Sequence, residues 1–239
     1  MVDLEQKIRK YDSRYEDKFS YENLQSHFMQ IYLTIKLKGK DVLEIGKGIG
    51  FVSSILNQYC NLTTLDFVEE FKPDLLIDIT DLNQLDTLKN NAYDLILICE
   101  VLEHIPYEKV EKVLRILEKK TRRYLIISVP NHTTYVNLVL FNQSDNVVFK
   151  TLKNYLNLFF IKIGKVISRL DYLIRAKHKK IIADKHKPEW DIHQWELGID
   201  RYSVKLFKQL LEKYFIIIKE ERLRDHSLHH FFILKRKEG

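Results

Sequence analysis

The segment Glu44-Ile45-Gly46-Lys47-Gly48-Ile49-Gly50 holds three of the seven glycines in a 239-residue chain. In a sequence this poor in glycine, the clustering points to a backbone demand: glycine lets a chain turn tightly and approach a ligand without a Cβ in the way. The apolar run DVLEI (41–45) precedes the loop and the amphipathic stretch FVSSILNQY (51–59) follows it. A strand therefore feeds a helix whose free N–H groups and positive dipole end face the same ligand. Twenty-two residues after Glu44, Asp66 ends a second strand-like run, LTTLDF (62–67). A carboxylate there can accept hydrogen bonds from both hydroxyls of a ribose, and the two features make a nucleoside-binding corner. The dinucleotide fingerprint GxGxxG has its third glycine where this chain has Phe51. The spacing here is GxGxG, preceded by an acid. Glu44 has little use beside a pyrophosphate but suits a ligand that carries an ammonium or sulfonium charge.

Two histidines are candidates for acid–base work, because imidazole titrates near neutrality. His132 follows SVPN at the end of a strand, and His193 lies in WDIHQWE ahead of the last helix. That second stretch packs Trp190, His193, Trp195 and Glu196 into seven residues. It serves equally well as a substrate wall or as a packing plug. His104, in EHIP, reads as a residue that packs and hydrogen-bonds at a turn. Alternating exposure along a terminal hairpin accounts for His226, His229 and His230 better than metal binding does. No set of residues has metal-ligand spacing, so no metal is expected.

The elements that must position these residues follow from periodicity. Residues 3–38 carry apolar positions (Leu24, Phe28, Ile31, Ile35) at helical spacing. DVLEI, LTTLDF, DLLIDI (74–79), YDLILIC (93–99) and RYLIISVP (123–130) read as strands. The last two are near-continuous apolar runs, as befits strands buried on both faces. Helices are expected over 51–59, 81–90 and 107–120. This alternation predicts an α/β fold with a mostly parallel, doubly wound sheet and a ligand site at the carboxyl ends of the strands. The pattern breaks over 132–190, read as an insertion or lid. It resumes with SVKLFKQLLEKY (203–214), capped by Ser203, and the strands FIIIKEERL (215–223) and HHFFILKRK (229–237), predicted to form an antiparallel hairpin.

Composition sets outer limits. The chain is 45% hydrophobic, 12% aromatic and 30% charged, with two cysteines. This excludes global disorder, a disulfide scaffold and a multi-cysteine metal site. There is no run of 18 apolar residues and no apolar signal stretch near the N-terminus, so a cytoplasmic protein is expected. The net charge of +6 is concentrated: Lys150–Lys187 carries +9, and the rest of the chain sums to −3. A basic segment of this kind can meet phosphate, an anionic membrane or nucleic acid; a solvated helix face explains it equally.

DVLEIGKGIG, TTLDF, LLIDITDL, YDLILICEVLEHIP and YLIISVPN resemble the successive motifs of class I S-adenosylmethionine-dependent methyltransferases, nearest to the small methyltransferases of type 11 with a VLEH segment after strand four. The likeness covers residues 38–131. DIHQWELGIDRYSVKLFKQLLEKYF with HHFFIL resembles the closing helix and hairpin of some of these proteins. The resemblance implies a Rossmann-like, seven-stranded sheet with a C-terminal antiparallel hairpin; residues 132–190 match nothing in the family and are read from the break in the pattern as a helical insertion. The chain is thus expected to divide into an N-terminal helical segment (1–37), a cofactor-binding core (38–131), a basic helical lid (132–190) and a C-terminal helix and hairpin (191–239).

It further implies that Gly46, Gly48 and Gly50 line the methionine portion and ribose of the cofactor, with Glu44 supporting the loop. Asp66 would hold the ribose hydroxyls and Phe67 would lie against the adenine. Asp78 would accept from the adenine amino group with the Ile79 backbone beside it, and Cys99 and Glu100 would close the methionine end. Lys47, where the family often has a small residue, is expected to face solvent. Plainer roles stay open: Asp66 as a turn residue, Asp78 as a cap for the helix near Asp81, Cys99 as a small core residue.

The implied function is methyl transfer from S-adenosylmethionine to a small-molecule, sugar or lipid-linked acceptor, at oxygen or nitrogen. A non-catalytic partner protein that keeps the fold is the alternative, ahead of a nucleotide-dependent oxidoreductase, against which the glycine spacing and Phe51 argue. Residues 150–187 are expected to contact an anionic membrane peripherally or to form a homodimer interface; nucleic acid is not expected as a partner.

Overall fold

The computed structural model describes residues 20–133, 192–223 and 229–237. Helix α1 (Tyr21–Leu37) leads into β1 (Asp41–Ile45), α2 (Phe51–Leu56), β2 (Asn61–Asp66), β3 (Leu75–Leu76), α3 (Leu82–Asp86), β4 (Tyr93–Cys99), α4 (Tyr107–Lys120) and β5 (Thr121–Pro130). Then come α5 (Val204–Tyr214), β6 (Phe215–Arg222) and β7 (His229–Arg236). One seven-stranded sheet has the order β3-β2-β1-β4-β5-β7-β6. The first five strands are parallel, and β7 inserts antiparallel between β5 and β6. This is the Rossmann-like α/β sheet that the sequence predicts.

Strand alternation decides which helices cover which face. Leu95, Leu97 and Cys99 of β4 join Val42, Ile126, Phe231 and Ile233 in a core shared with Val52 and Leu56 of α2 and Ile31 of α1. Ile96 and Ile98 point the other way, into a core built with Val110, Val113, Leu114 and Leu117 of α4 and Phe207 and Leu211 of α5. Helix α4 has the predicted bounds because its apolar stripe recurs every three or four residues. Ser203 caps α5 as expected, its hydroxyl accepting from Leu206 N.

Three expected elements are shorter. The strand over 74–79 shrinks to Leu75–Leu76 because Asp78 turns the chain, its carboxylate accepting from Thr80 N at 2.7 Å. Helix α2 stops at Leu56, where tight turns from Gln58 N to Ile55 O and from Tyr59 N to Leu56 O close it. Helix α3 ends at Asp86 because the buried ammonium of Lys120 takes the Asp86 carbonyl (2.8 Å), the Asp86 carboxylate (2.7 Å) and the Asn90 amide oxygen (2.8 Å). The helical reading of 3–38 holds over Tyr21–Leu37; residues 3–19 and, of the lid expected over 132–190, residues 134–190 lie outside the described residues. Among the described residues, no helix is long and apolar enough to cross a membrane.

Candidate active site at the carboxyl edge of the sheet

The glycine loop follows β1 directly. Gly46, Gly48 and Gly50 have φ of 84°, 52° and 80°, in the left-handed region. At Gly46 a Cβ would stand 2.2 Å from Cγ2 of Val101, so the loop passes hard against the segment after β4. At Gly48 nothing lies within 4 Å of the same position, which leaves an open cradle. Gly50 caps α2.

Asp66 is buried at the end of β2. Its Oδ2 accepts from Gly48 N and its Oδ1 from Val68 N, each at 3.0 Å. It is thus a turn residue that also shapes the glycine loop. A carboxylate oxygen can accept more than one hydrogen bond, so both retain capacity for a diol. Phe67 is half exposed beside it, Asp78 is exposed, and Ile79 is buried. Asp78 does not cap α3; Asp81 does, accepting from Asn83 N and Gln84 N. The Lys47 side chain passes beside Gly50, its Cε 3.5 Å from where a Cβ there would stand, and its ammonium donates to the Lys72 carbonyl at 2.5 Å.

Glu44 lies beneath the loop, buried on β1, and its Oε2 has no hydrogen-bond partner. Burial pushes its carboxyl up to about 8; the neighbouring Asp66 charge adds to this, and Lys47 and the Ser53 hydroxyl oppose it. An orphaned buried acid under an open glycine cradle fits a ligand with a positive charge. Cys99 is buried, and burial raises its thiol well above the ordinary value, which makes it a core residue and not a nucleophile.

A second cluster occupies the ends of β4 and β5. Glu100 has φ 54° and follows β4. Its Oε1 accepts from the Ser128 hydroxyl at 2.7 Å and lies 3.1 Å from Nδ1 of His229. Burial pushes Glu100 up most strongly, but the His229 charge and hydrogen bond, the Ser128 hydroxyl and the His193 charge together outweigh it and leave Glu100 below its usual value. Burial would likewise lower His229, and the Glu100 carboxylate overrides it, holding the imidazole up. His230 is buried too: the Asn131 amide meets its Nδ1 at 2.8 Å and Glu220 lies 3.2 Å from its Nε2. The expectation of alternating exposure for His229 and His230 is therefore wrong. β7 is an interior strand covered on both faces, so consecutive side chains are buried on opposite sides. His226 lies outside the described residues.

The segment after the expected lid straps across this edge. Gln194 N donates to Glu103 O (2.7 Å), Gln194 Nε2 to His104 O (2.8 Å), and Trp195 Nε1 to Ile105 O (3.1 Å). Leu197 bridges in parallel to Asn131, and His132 N donates to Leu197 O at 2.7 Å. Trp195 is buried edge-on to Tyr107, so it is the packing plug of the two roles offered for this stretch. The strap brings both candidate histidines onto one carboxylate. His132 Nε2 lies 2.6 Å from Glu196 Oε2, and His193 Nδ1 lies 2.7 Å from Glu196 Oε1. The His104 ring stands edge-on to His193, with centroids 4.8 Å apart.

Sequence reasoning missed Glu103. It is fully buried in the short turn after β4, with neither carboxylate oxygen hydrogen-bonded. Burial and the nearby Glu100 charge raise it well above the usual carboxylate range. Its position inside VLEH was the only signal available. Trp190 lies outside the described residues.

Residues 43–124 match the family described as Methyltransferase domain. No curated protein sequence matches the chain. Among solved structures, the chain is similar to the N-methyltransferase NodS from Bradyrhizobium japonicum WM9 at 10% identity, TM-score 0.55, over 92% of this chain and 99% of that one. A SAM dependent methyltransferase from Archaeoglobus fulgidus is similar at 15% identity, TM-score 0.55, over 95% and 100%. So is 1,6-didemethyltoxoflavin-N1-methyltransferase from Burkholderia thailandensis, at 11% identity, TM-score 0.55, over 99% and 88%. At these identities the structural likeness speaks for the fold. The residues that match the Methyltransferase domain family, 43–124, contain the glycine cradle and Asp66.

Proposed function

We propose that the protein transfers a methyl group from S-adenosylmethionine to the oxygen or nitrogen of a small-molecule acceptor. The observation that carries this reading is the juxtaposition along one sheet edge: the open Gly46–Gly50 cradle with buried Glu44 and Asp66 on one side, and the His132–Glu196–His193 cluster on the other. The cradle and Glu44 suit a sulfonium, Asp66 a ribose, and Phe67, Asp78 and Ile79 an adenine. Relatives of the same fold include NodS in complex with S-adenosylhomocysteine and the toxoflavin-precursor enzyme with its small acceptor and the same product bound.

The donor is already activated, so the protein's work is to align the acceptor in line with the methyl–sulfur bond. The acceptor's lone pair forms the new bond to the methyl carbon, and the sulfur–carbon pair returns to sulfur as S-adenosylhomocysteine leaves. The acceptor's proton passes to a histidine whose other nitrogen is held by Glu196, an arrangement that stabilises the imidazolium that results. The basic segment 150–187 favours an anionic or lipid-linked acceptor at a membrane surface.

The test is incubation with methyl-labelled S-adenosylmethionine and pools of hydroxyl- and amine-bearing metabolites and lipids. Labelled acceptor and stoichiometric S-adenosylhomocysteine are expected. Cofactor binding without turnover across all pools would favour the non-catalytic reading.

A further inference from the structure

We propose that Glu103, His104 and His193 form a binding site for a divalent first-row metal ion, such as Mn²⁺ or Zn²⁺, at the carboxyl edge of the sheet. One ligand atom from each of these residues lies within 4.8 Å of the other two. Glu103 is the decisive member. A fully buried carboxyl group almost always has hydrogen-bond partners; neither oxygen of Glu103 has one of full hydrogen-bond geometry, and the side chain beside it, Glu100, is another carboxylate. Its place is fixed by structure on both sides: the turn after β4 supplies it, and the strap locks that turn through Gln194 and Trp195. A cation between the three side chains supplies the interaction that this carboxylate lacks.

His193 is oriented as a metal ligand would be. Glu196 Oε1, at 2.7 Å, engages Nδ1 and fixes the proton there. Nε2 then carries the lone pair and faces Glu103 Oε1 at 4.0 Å. That separation is too long for a hydrogen bond. Bonds of about 2.1 Å place tetrahedral neighbours roughly 3.4 Å apart and opposed octahedral ligands roughly 4.2 Å apart, so the three side chains draw together by roughly half an ångström or more to share one ion. A carboxylate behind a ligating imidazole is the usual outer support of such sites. Two imidazoles and one carboxylate select a first-row transition metal over Ca²⁺ or Mg²⁺, which prefer all-oxygen shells. Glu100, committed to Ser128 and His229, stays outside the ligand set and adds negative charge nearby.

Three protein ligands leave coordination positions open to a small molecule. In the methyl-transfer reading, on which this further role rests, an acceptor hydroxyl binds there and its proton is made easier to remove. His193 is then occupied as a ligand, and His132, held by Glu196, is left to take the proton. The ion site itself does not depend on that reading.

The test is titration of the chelator-treated full chain with Mn²⁺, followed by electron paramagnetic resonance, and separately with Zn²⁺, followed by native mass spectrometry. One ion per chain is expected. Glu103→Gln and His193→Ala should abolish saturable binding, and Glu196→Gln should weaken it about 10–100-fold. Should Glu103→Gln fail to fold, His193→Ala, on the more exposed strap, carries the test. The proposal is overturned if the wild-type chain binds neither ion saturably, or if binding survives unchanged in a folded His193→Ala variant. Thermal unfolding with S-adenosylhomocysteine separates the two readings: ion binding without any shift would sink the methyl-transfer reading and leave the ion site standing.

Discussion

His193 turns its Nε2 toward Oε1 of Glu103 at a distance of 4.0 Å, and each side chain reaches that place by a different route. Glu103 is delivered by the turn that ends β4. His193 arrives on a strap pinned by Gln194, Trp195 and Leu197 to the ends of β4 and β5. The strap thus completes the chemistry of the edge, and Glu196, holding both His132 and His193, is its hub.

Glu196→Gln keeps the volume but removes the charge that faces both imidazoles. Methyl transfer should fall by about 10²–10⁴-fold, the usual scale for losing positioned acid–base chemistry. Affinity for S-adenosylhomocysteine should stay unchanged, because Glu196 does not touch the glycine cradle. Steady-state rates beside calorimetric binding of the product check this split. An equal loss in both would mark Glu196 as merely structural.

Gly46→Ala places a Cβ 2.2 Å from Val101 Cγ2 at a φ of 84°. The clash and the left-handed backbone should together cost about 1–3 kcal/mol in urea unfolding. Adding Val101→Ala should recover the steric part and leave the backbone part.

Glu44 predicts a pH dependence. Its carboxyl titrates near 8 in the folded protein against an ordinary value of 4.5. The folded state therefore keeps a proton that the unfolded state releases between these values, and stability falls as pH rises through that window. Glu44→Gln should remove this slope, so the variant gains on the wild type between pH 5 and pH 9. The sulfonium of S-adenosylmethionine favours the ionised acid. Its affinity relative to the uncharged product should rise with pH in the wild type and not in the variant.

His230 predicts a slope of the opposite sign. Asn131 turns its amide N–H₂ to Nδ1 because its oxygen is taken by Thr133 N and Thr133 Oγ1. The ring is thus neutral, with its proton on Nε2 toward Glu220. Burial, then the Arg222 charge, depresses it to about 4. Stability should be lost as pH falls from about 6.5 to about 4, because the unfolded chain takes up the proton first. Chemical unfolding at pH 7 and pH 5 should show a smaller drop in His230→Gln than in the wild type.

The sheet was readable because its strands are short apolar runs bounded by glycine, aspartate or proline, and α4 because its stripe repeats at helical spacing. The cofactor corner was readable because its residues are close in sequence: Gly46 to Gly50 with Asp66 at the next strand end. The second cluster was only half readable. His132 and His193 could be named from topology, but their shared partner Glu196 and the buried Glu103 depend on the strap's docking, which joins distant segments. His229 and His230 were misread because period-2 logic assumes one wet face, and β7 has none.

Thermal unfolding of the purified chain with S-adenosylmethionine, S-adenosylhomocysteine and NAD in parallel, repeated on Asp66→Ala, tests cofactor binding most directly. Ligand at about 100 times Kd adds roughly 2.7 kcal/mol to stability, a rise of about 5–10 °C for a chain of this size. Both adenosyl ligands should raise the midpoint of the wild type and NAD should not. Asp66→Ala should weaken the adenosyl ligands about 10–100-fold, as loss of hydrogen bonds to a charged group does. A rise with NAD alone, or no rise with either adenosyl ligand, would contradict the assignment of the Gly46–Gly50 cradle to S-adenosylmethionine.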